Sequence, residues 1–267
     1  MPGLLTSVLA SGSGGVVGVI LGLVGGGGSI LAVPLLTYVV GVSSFHVAIG
    51  TSALAVSVSA AGNLVPQRRA GNVKWRCAAA FSLAGVLGAL AGSAAAKGVD
   101  GQSLLALFGG VMLVVGGLML RKRRSEGDQD VRLTKGSVPV LLPRLLGIGF
   151  AVGLFSGFFG IGGGFLIVPG LMLATSMPLP MAIGSSLVAA SAFGAATAAS
   201  YAASGLIDWP LAGLFILGGV FGGLAGARLG KVLAARKRLL NLVFAGLVIL
   251  VGLYIVARSL PVLLGWT

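Results

Sequence analysis

Two glycine-rich segments carry the clearest chemical signal in this chain. The first reads Gly25-Gly26-Gly27-Gly28-Ser29 and runs on to Pro34. The second reads Gly160-Ile161-Gly162-Gly163-Gly164 and runs on to Pro169. A glycine cluster frees backbone amides and lets chain segments approach closely. Inside an apolar run of bilayer length it reads as a broken helix, which a membrane tolerates only where it is buried in protein or lines a cavity. A helix that starts inside the membrane leaves its first N–H groups unpaired. Those amides carry partial positive charge and form a ready anion site. Ser29 reads as an N-cap of the segment that follows its cluster. Its counterpart is Gly164, so that role is not duplicated. Pro34 and Pro169 each remove a backbone donor and bend the helix they sit in.

Paired hydroxyls form the second candidate set. Thr51-Ser52 and Ser185-Ser186 sit near the starts of two apolar runs, each just after an Ile-Gly pair. A hydroxyl donates to an oxyanion without any change of charge. The competing use is a bond back to a carbonyl of its own helix.

What the chain lacks narrows the chemistry further. Its five acids, Asp100, Glu126, Asp128, Asp130 and Asp208, all fall in loops or at run edges. A carboxylate proton relay or charged cation site inside a membrane is therefore not expected. His46 is the only histidine and lies at a run boundary, where it reads as an interfacial cap. Cys77 is the only cysteine, so neither an intrachain disulfide nor a metal site is expected. Gly22 to Ser29 resembles a P-loop in glycine content but has no lysine. Gly160-Ile161-Gly162 lacks the acidic partner of a dinucleotide fold. No nucleophile–His–Asp set exists. The chain therefore reads as neither an ATPase nor another enzyme, with no cofactor and no metal.

The elements that must position these residues are apolar runs. Of 267 residues 57% are hydrophobic and 9% charged, far below the ~25% charged of a soluble domain. The fold class is an all-α polytopic membrane protein. Runs fall at about 4–24, 29–42, 46–63, 77–96 and 102–120, then at about 145–159, 165–177, 181–203, 210–229 and 239–257. Between the two sets lies a polar linker that begins Arg121-Lys122-Arg123-Arg124. This gives a first transmembrane repeat over 1–120, a cytoplasmic linker over 121–144 and a second repeat over 145–267. The first residues lack a basic stretch, so no cleaved signal peptide is expected.

The halves match in detail. Pro34 pairs with Pro169 at offset 135, and Ile49-Gly50-Thr51-Ser52 pairs with Ile183-Gly184-Ser185-Ser186 at offset 134. Gly71 and Trp75 pair with Gly205 and Trp209, and Lys97 pairs with Lys231. Loop charge flips between the halves. Arg68, Arg69, Lys74 and Arg76 follow the third run, whereas the equivalent loop in the second half has no basic residue. Ten crossings with the linker cytoplasmic place 16 of the 18 basic residues inside, against 12 inside for eight crossings. The positive-inside rule then favours an inverted repeat of two five-segment halves, with 8–10 transmembrane segments and broken helices at the glycine motifs. The second and seventh runs are too short to cross a ~30 Å core unaided, so they read as half-helices completed by an unwound stretch. The net charge of +13 is explained by these loops, and nucleic acid is not an expected partner.

At these residues the chain resembles the sulfite exporter TauE/SafE family of membrane anion transporters. The resemblance rests on the two glycine segments ending in Pro34 and Pro169, the Ile-Gly-Thr/Ser-Ser segments, and the stretches at Gly71 and Gly205 that lead to Trp75 and Trp209. It covers nearly the whole chain. It implies an inner-membrane secondary transporter for a small anion, a sulfur oxyanion such as sulfite or an organosulfonate such as sulfoacetate. It also implies a binding role for Gly25, Gly26, Gly27, Gly28, Ser29, Thr51, Ser52, Gly160, Gly162, Gly163, Gly164, Ser185 and Ser186. Partners are the small anion and the lipid bilayer. Whether H⁺ or Na⁺ is coupled, and whether the chain forms a homo-oligomer, stay open. A passive anion channel and a non-transporting membrane scaffold are the alternatives.

Overall fold

The computed structural model describes residues 3–120, 138–160, 164–232 and 237–263. These residues form helices and no strand. In chain order they are α1 (Leu4–Val24), α2 (Ala32–Pro34), α3 (Phe45–Arg69), α4 (Trp75–Lys97), α5 (Gly101–Leu120), α6 (Val138–Phe159), α7 (Gly164–Thr175), α8 (Leu179–Ala203), α9 (Trp209–Val232) and α10 (Lys237–Leu263). Six of them, α1, α3, α4, α6, α8 and α9, are long and apolar enough to cross a membrane. Shorter apolar helical stretches cover Gly28–Val39, Gly101–Gly117, Leu166–Thr175 and Ala245–Ser259. Helix α6 starts at Val138, ahead of the expected start near 145. The intervening residues are apolar up to Arg144, and Pro139 falls in the first turn, where its missing N–H costs nothing.

Large apolar side chains face outward along the helices. Leu83 and Phe221 are each 71% exposed, and Leu250 is 66% exposed. A soluble surface does not carry apolar area on this scale, and a bilayer covers it without cost. Inside, the packing relies on missing side chains. Gly14, Gly18 and Gly22 of α1 lie against the α9 backbone at Phe215, Gly219 and Gly223. Gly149, Gly153 and Gly157 of α6 lie against the α4 backbone at Phe81, Gly85 and Ala89 in the same way. Both ladders climb four residues at a time in the same sense, so each pair runs parallel. Small residues at every fourth position are how membrane helices approach without a hydrophobic driving force between them.

Helices α3 and α8 cross at the centre of the bundle. Gly50 meets Tyr201, Gly194 meets Ala53 and Ser57, and the Ser57 hydroxyl donates to the Ser191 carbonyl at 2.7 Å. As numbers rise on α3 they fall on α8, so this pair runs antiparallel. Helices α5 and α10 are also antiparallel, with Gly109 beside Ile255 and Gly116 beside Ile249. The α5–α10 pair meets the rest of the bundle partly through rings: Phe108 touches Phe45 and Phe159, and Tyr254 touches Tyr38.

Candidate functional site

The first glycine cluster does not interrupt the winding of the chain. Gly25–Leu31 forms a 3₁₀ helix directly after α1. Gly28 folds back on that helix, and a Cβ there would run into the backbone at Ile20 and Leu21. After the single α turn at Ala32–Pro34 the backbone widens to a π helix over Leu35–Val39. Pro34, which cannot donate, stands at that change of pitch. Ser29 lies inside the 3₁₀ stretch and is fully buried. The residue that caps α2 is Leu31, so the expected N-cap position of Ser29 is corrected: the 3₁₀ helix runs through it.

In the second half α6 ends at Phe159, and Gly160 turns the chain with φ +64°. Its missing Cβ is where Ile49 of α3 packs. Gly162 and Gly163 lie outside the described residues. Gly164 is the first residue of α7, and Pro169 sits in its middle. The stretch Gly25–Leu31 packs against both α7 and α8. Gly25–Leu31 thus meets α7 and α8, while Gly160 lies against the start of α3.

The hydroxyls divide into two kinds. Ser52 donates to Ile49 O at 2.9 Å and to Gly160 O at 3.1 Å. Ser186 donates to Ile183 O at 2.8 Å. Both bond back to their own helix, and Ser52 also ties α3 to the second glycine segment. Thr51 and Ser185 instead accept. The Asp208 N–H reaches Thr51 Oγ1 at 3.1 Å, and the Lys74 N–H reaches Ser185 Oγ at 2.9 Å. Asp208 and Lys74 immediately precede α9 and α4, whose first N–H groups need partners. Each hydroxyl therefore caps a helix start belonging to the other half. Gly50 and Gly184 leave room for this, since the backbone at Leu206 and at Asn72 occupies the space of their missing Cβ atoms. All four hydroxyl residues are fully buried.

Two apolar clefts of about 890 and 840 Å³ open on the outside of the bundle. One lies among Leu107, Val111, Phe155 and Leu166, and the other among Ser82, Leu87, Phe150 and Ala192. The first cleft reaches the start of α7 at Leu166.

Charged groups sit at the ends of helices. His46 Nε2 donates to Ala96 O at 3.2 Å, holding the start of α3 against the end of α4. The carbonyl accepts only, so the proton is placed on Nε2. Lys97 donates to Ser200 O at 2.7 Å and to Ser204 Oγ at 2.8 Å, and its ammonium lies 5.3 Å from the Tyr201 ring centre. A cation at the last turn of α8 complements the helix dipole. Asp100 caps α5, and the Ser103 N–H at 2.8 Å holds its carboxyl below the usual carboxylate range.

Sequence reasoning did not single out Lys97 as a tie between α4 and α8, nor the buried Asn63, Ser156 and Thr197. Equal offsets paired these positions without giving their capping role: Lys74 and Asp208 are 134 apart, as are Thr51 and Ser185.

The profile of the family described as "Sulfite exporter TauE/SafE" matches residues 10–255. A "Probable membrane transporter protein" of Xylella fastidiosa (strain Temecula1) is 51% identical over 259 residues, covering 94% of this chain and 95% of its own. The "Probable membrane transporter protein YunE" of Bacillus subtilis is 25% identical over 239 residues, covering 81% of this chain and 85% of its own. No solved structure matches the chain.

Proposed function

The chain belongs to the sulfite exporter TauE/SafE family, and we propose that it moves a small anion, a sulfur oxyanion or organosulfonate, across the inner membrane by alternating access. Family membership makes it a membrane transporter rather than an enzyme. The observation that carries the proposal is the meeting of Gly25–Leu31 with α7 and α8, while Ser52 of α3 bonds Gly160. Ser52 stands seven residues into α3, about 10 Å from its start, which is well inside a ~30 Å core.

The antiparallel crossings of α3 with α8 and of α5 with α10 support the inverted repeat. Each joins repeat-equivalent helices, as two halves inserted in opposite senses require. The anion sits between the two glycine segments. Backbone amides of Gly25–Gly28 and of the α7 start, together with Ser29 and Ser52, replace hydration of its oxygens. Uncharged donors bind it loosely enough to let it leave. Thr51 and Ser185 hold the wall of this site from opposite ends. The Ser52 proton turns from its present carbonyl partners toward the anion as the site opens.

Purified protein in proteoliposomes tests this directly, with sulfite, thiosulfate, sulfoacetate and sulfate as cargo. Wild type is expected to exchange at least one of them, and Gly27→Leu is expected to insert normally and carry none. Unchanged flux in Gly27→Leu removes the site assignment. Absence of flux for all four removes the substrate class, and unitary currents in a planar bilayer replace the transporter with a channel.

A further inference from the structure

The second of the two outer clefts holds a donor with nothing to bond. It is a cavity of about 840 Å³ between α4, α6 and α8, within the size range of small-molecule sites. Ser82 of α4 lines it, is 7% exposed, and its hydroxyl has no hydrogen-bond partner. Other helical hydroxyls here bond back to the preceding turn, as Thr175 does to Leu171 and Ser191 to Leu187. Gly147 of α6 also lines the cleft, and a Cβ there would meet nothing within 4 Å. The glycines of the α4–α6 ladder make room for a neighbouring backbone, whereas Gly147 faces the open cleft.

Two bases stand at one end of this cleft. Arg76 lies seven residues before Leu83 on the same face of α4, and Arg144 lies three before Gly147 on α6. Both are exposed. The parallel ladder puts them at one level: the rung below Phe81 and Gly149 is Cys77 and Leu145, both buried. By the positive-inside rule this end faces the cytoplasm. Ser82 lies six residues beyond Arg76, ~9 Å along the axis. The first cleft differs. There Ser103 bonds Asp100 through its N–H and its hydroxyl, so the donor is taken and the neighbouring charge is negative.

We propose that the cleft between α4, α6 and α8 holds one anionic phospholipid. Its phosphate rests on Arg76 and Arg144, an ester carbonyl accepts from Ser82, and a tail lies along Leu83, Leu87 and Phe150. A hydroxyl shut away from water finds a partner only in what fills the cleft, and in a bilayer that is lipid. A phospholipid presents charge, carbonyl and hydrocarbon in the order in which base, hydroxyl and apolar wall follow one another here. Guanidinium groups grip phosphate in two-bonded pairs, and the cytoplasmic leaflet supplies lipids of negative charge. Because Ala192 belongs to α8, one lipid bridges the α4–α6 pair to the central helix. The site is independent of what the protein carries.

Full-length protein purified in detergent is titrated with phosphatidylglycerol or phosphatidylcholine carrying the same ester-linked tails, and with inorganic phosphate. Native mass spectrometry counts bound lipid, and the melting temperature follows saturation. One phosphatidylglycerol per chain is expected, half-saturating at a concentration about ten-fold below that of phosphatidylcholine. Arg76→Gln combined with Arg144→Gln is expected to erase that preference. Ser82→Ala is expected to weaken both lipids about five-fold. Ether-linked phosphatidylglycerol, which lacks the carbonyl, should bind wild type no better than the ester binds Ser82→Ala. Gly147→Leu should melt no lower than wild type without lipid and should retain none. Gly110→Leu fills the first cleft, where a Cβ also meets nothing within 4 Å, and should keep the lipid. Equal binding of the two lipids by wild type overturns the proposal, as does a response to inorganic phosphate equal to that of phosphatidylglycerol. Phosphatidylglycerol binding that survives Gly147→Leu overturns the location. A dimer that Gly147→Leu disperses gives the cleft to a second copy of the chain and overturns the lipid.

Discussion

Thr51 and Ser185 were legible as a pair but not as to role. Their types and spacing suit an oxyanion. The structure has each accept a backbone N–H at the start of a helix from the opposite half. That bond is a cap, and removing a cap costs about 1 kcal/mol. Thr51→Val and Ser185→Ala are each expected to destabilise the purified protein by that amount, read as a lower melting temperature in detergent. Thr51→Ser is expected to be close to neutral. The two caps share no partner, so the double variant adds. Unchanged stability in both single variants assigns the hydroxyls to the anion alone. The missed residues were missed for a physical reason. Asn63, Ser156 and Thr197 are scattered single polar residues in apolar runs, and only the packed structure reveals that Asn63 Oδ1 and the Ser156 and Thr197 hydroxyls are buried without a partner.

Among the elements, the helices and their order were readable from hydropathy, because a lipid solvent demands long apolar stretches. The glycine segments were harder. Composition says only that the backbone is free there. It does not separate a 3₁₀ continuation, as at Gly25–Leu31, from a turn with positive φ, as at Gly160. The difference follows from tertiary contact, since Gly160 yields its side-chain space to Ile49 and its carbonyl to Ser52. Orientation of the elements is testable without any ligand. Single cysteines at Lys74 and Asp208, in a background with the buried Cys77 replaced, should react with a membrane-impermeant reagent from opposite sides. They cap repeat-equivalent helix starts, and α3 and α8, which lead into them, run antiparallel. Labelling of both from one side contradicts the inverted repeat.

At the scale of the whole molecule the two caps lie at opposite ends of the central α3–α8 pair. The Gly205–Asp208 loop is held by Thr51, and the Gly71–Lys74 loop by Ser185. Lys97 adds a second tie at the Thr51 end, joining α4 to the last turn of α8. Alternating access requires one end to part while the other stays shut. Loss of a cap should therefore bias the molecule toward opening at its own end. A cap worth about 1 kcal/mol shifts a two-state equilibrium roughly five-fold. With Ser29→Cys as a buried reporter in a background without Cys77, Thr51→Val should speed labelling from the Asp208 side. Ser185→Ala should speed it from the Lys74 side. The two variants should also compete, so that the double variant returns the ratio of the two rates toward that of wild type. Equal acceleration from both sides in either single variant would mean general loosening rather than gating. In that case the caps would hold the fold together without controlling which side the site faces.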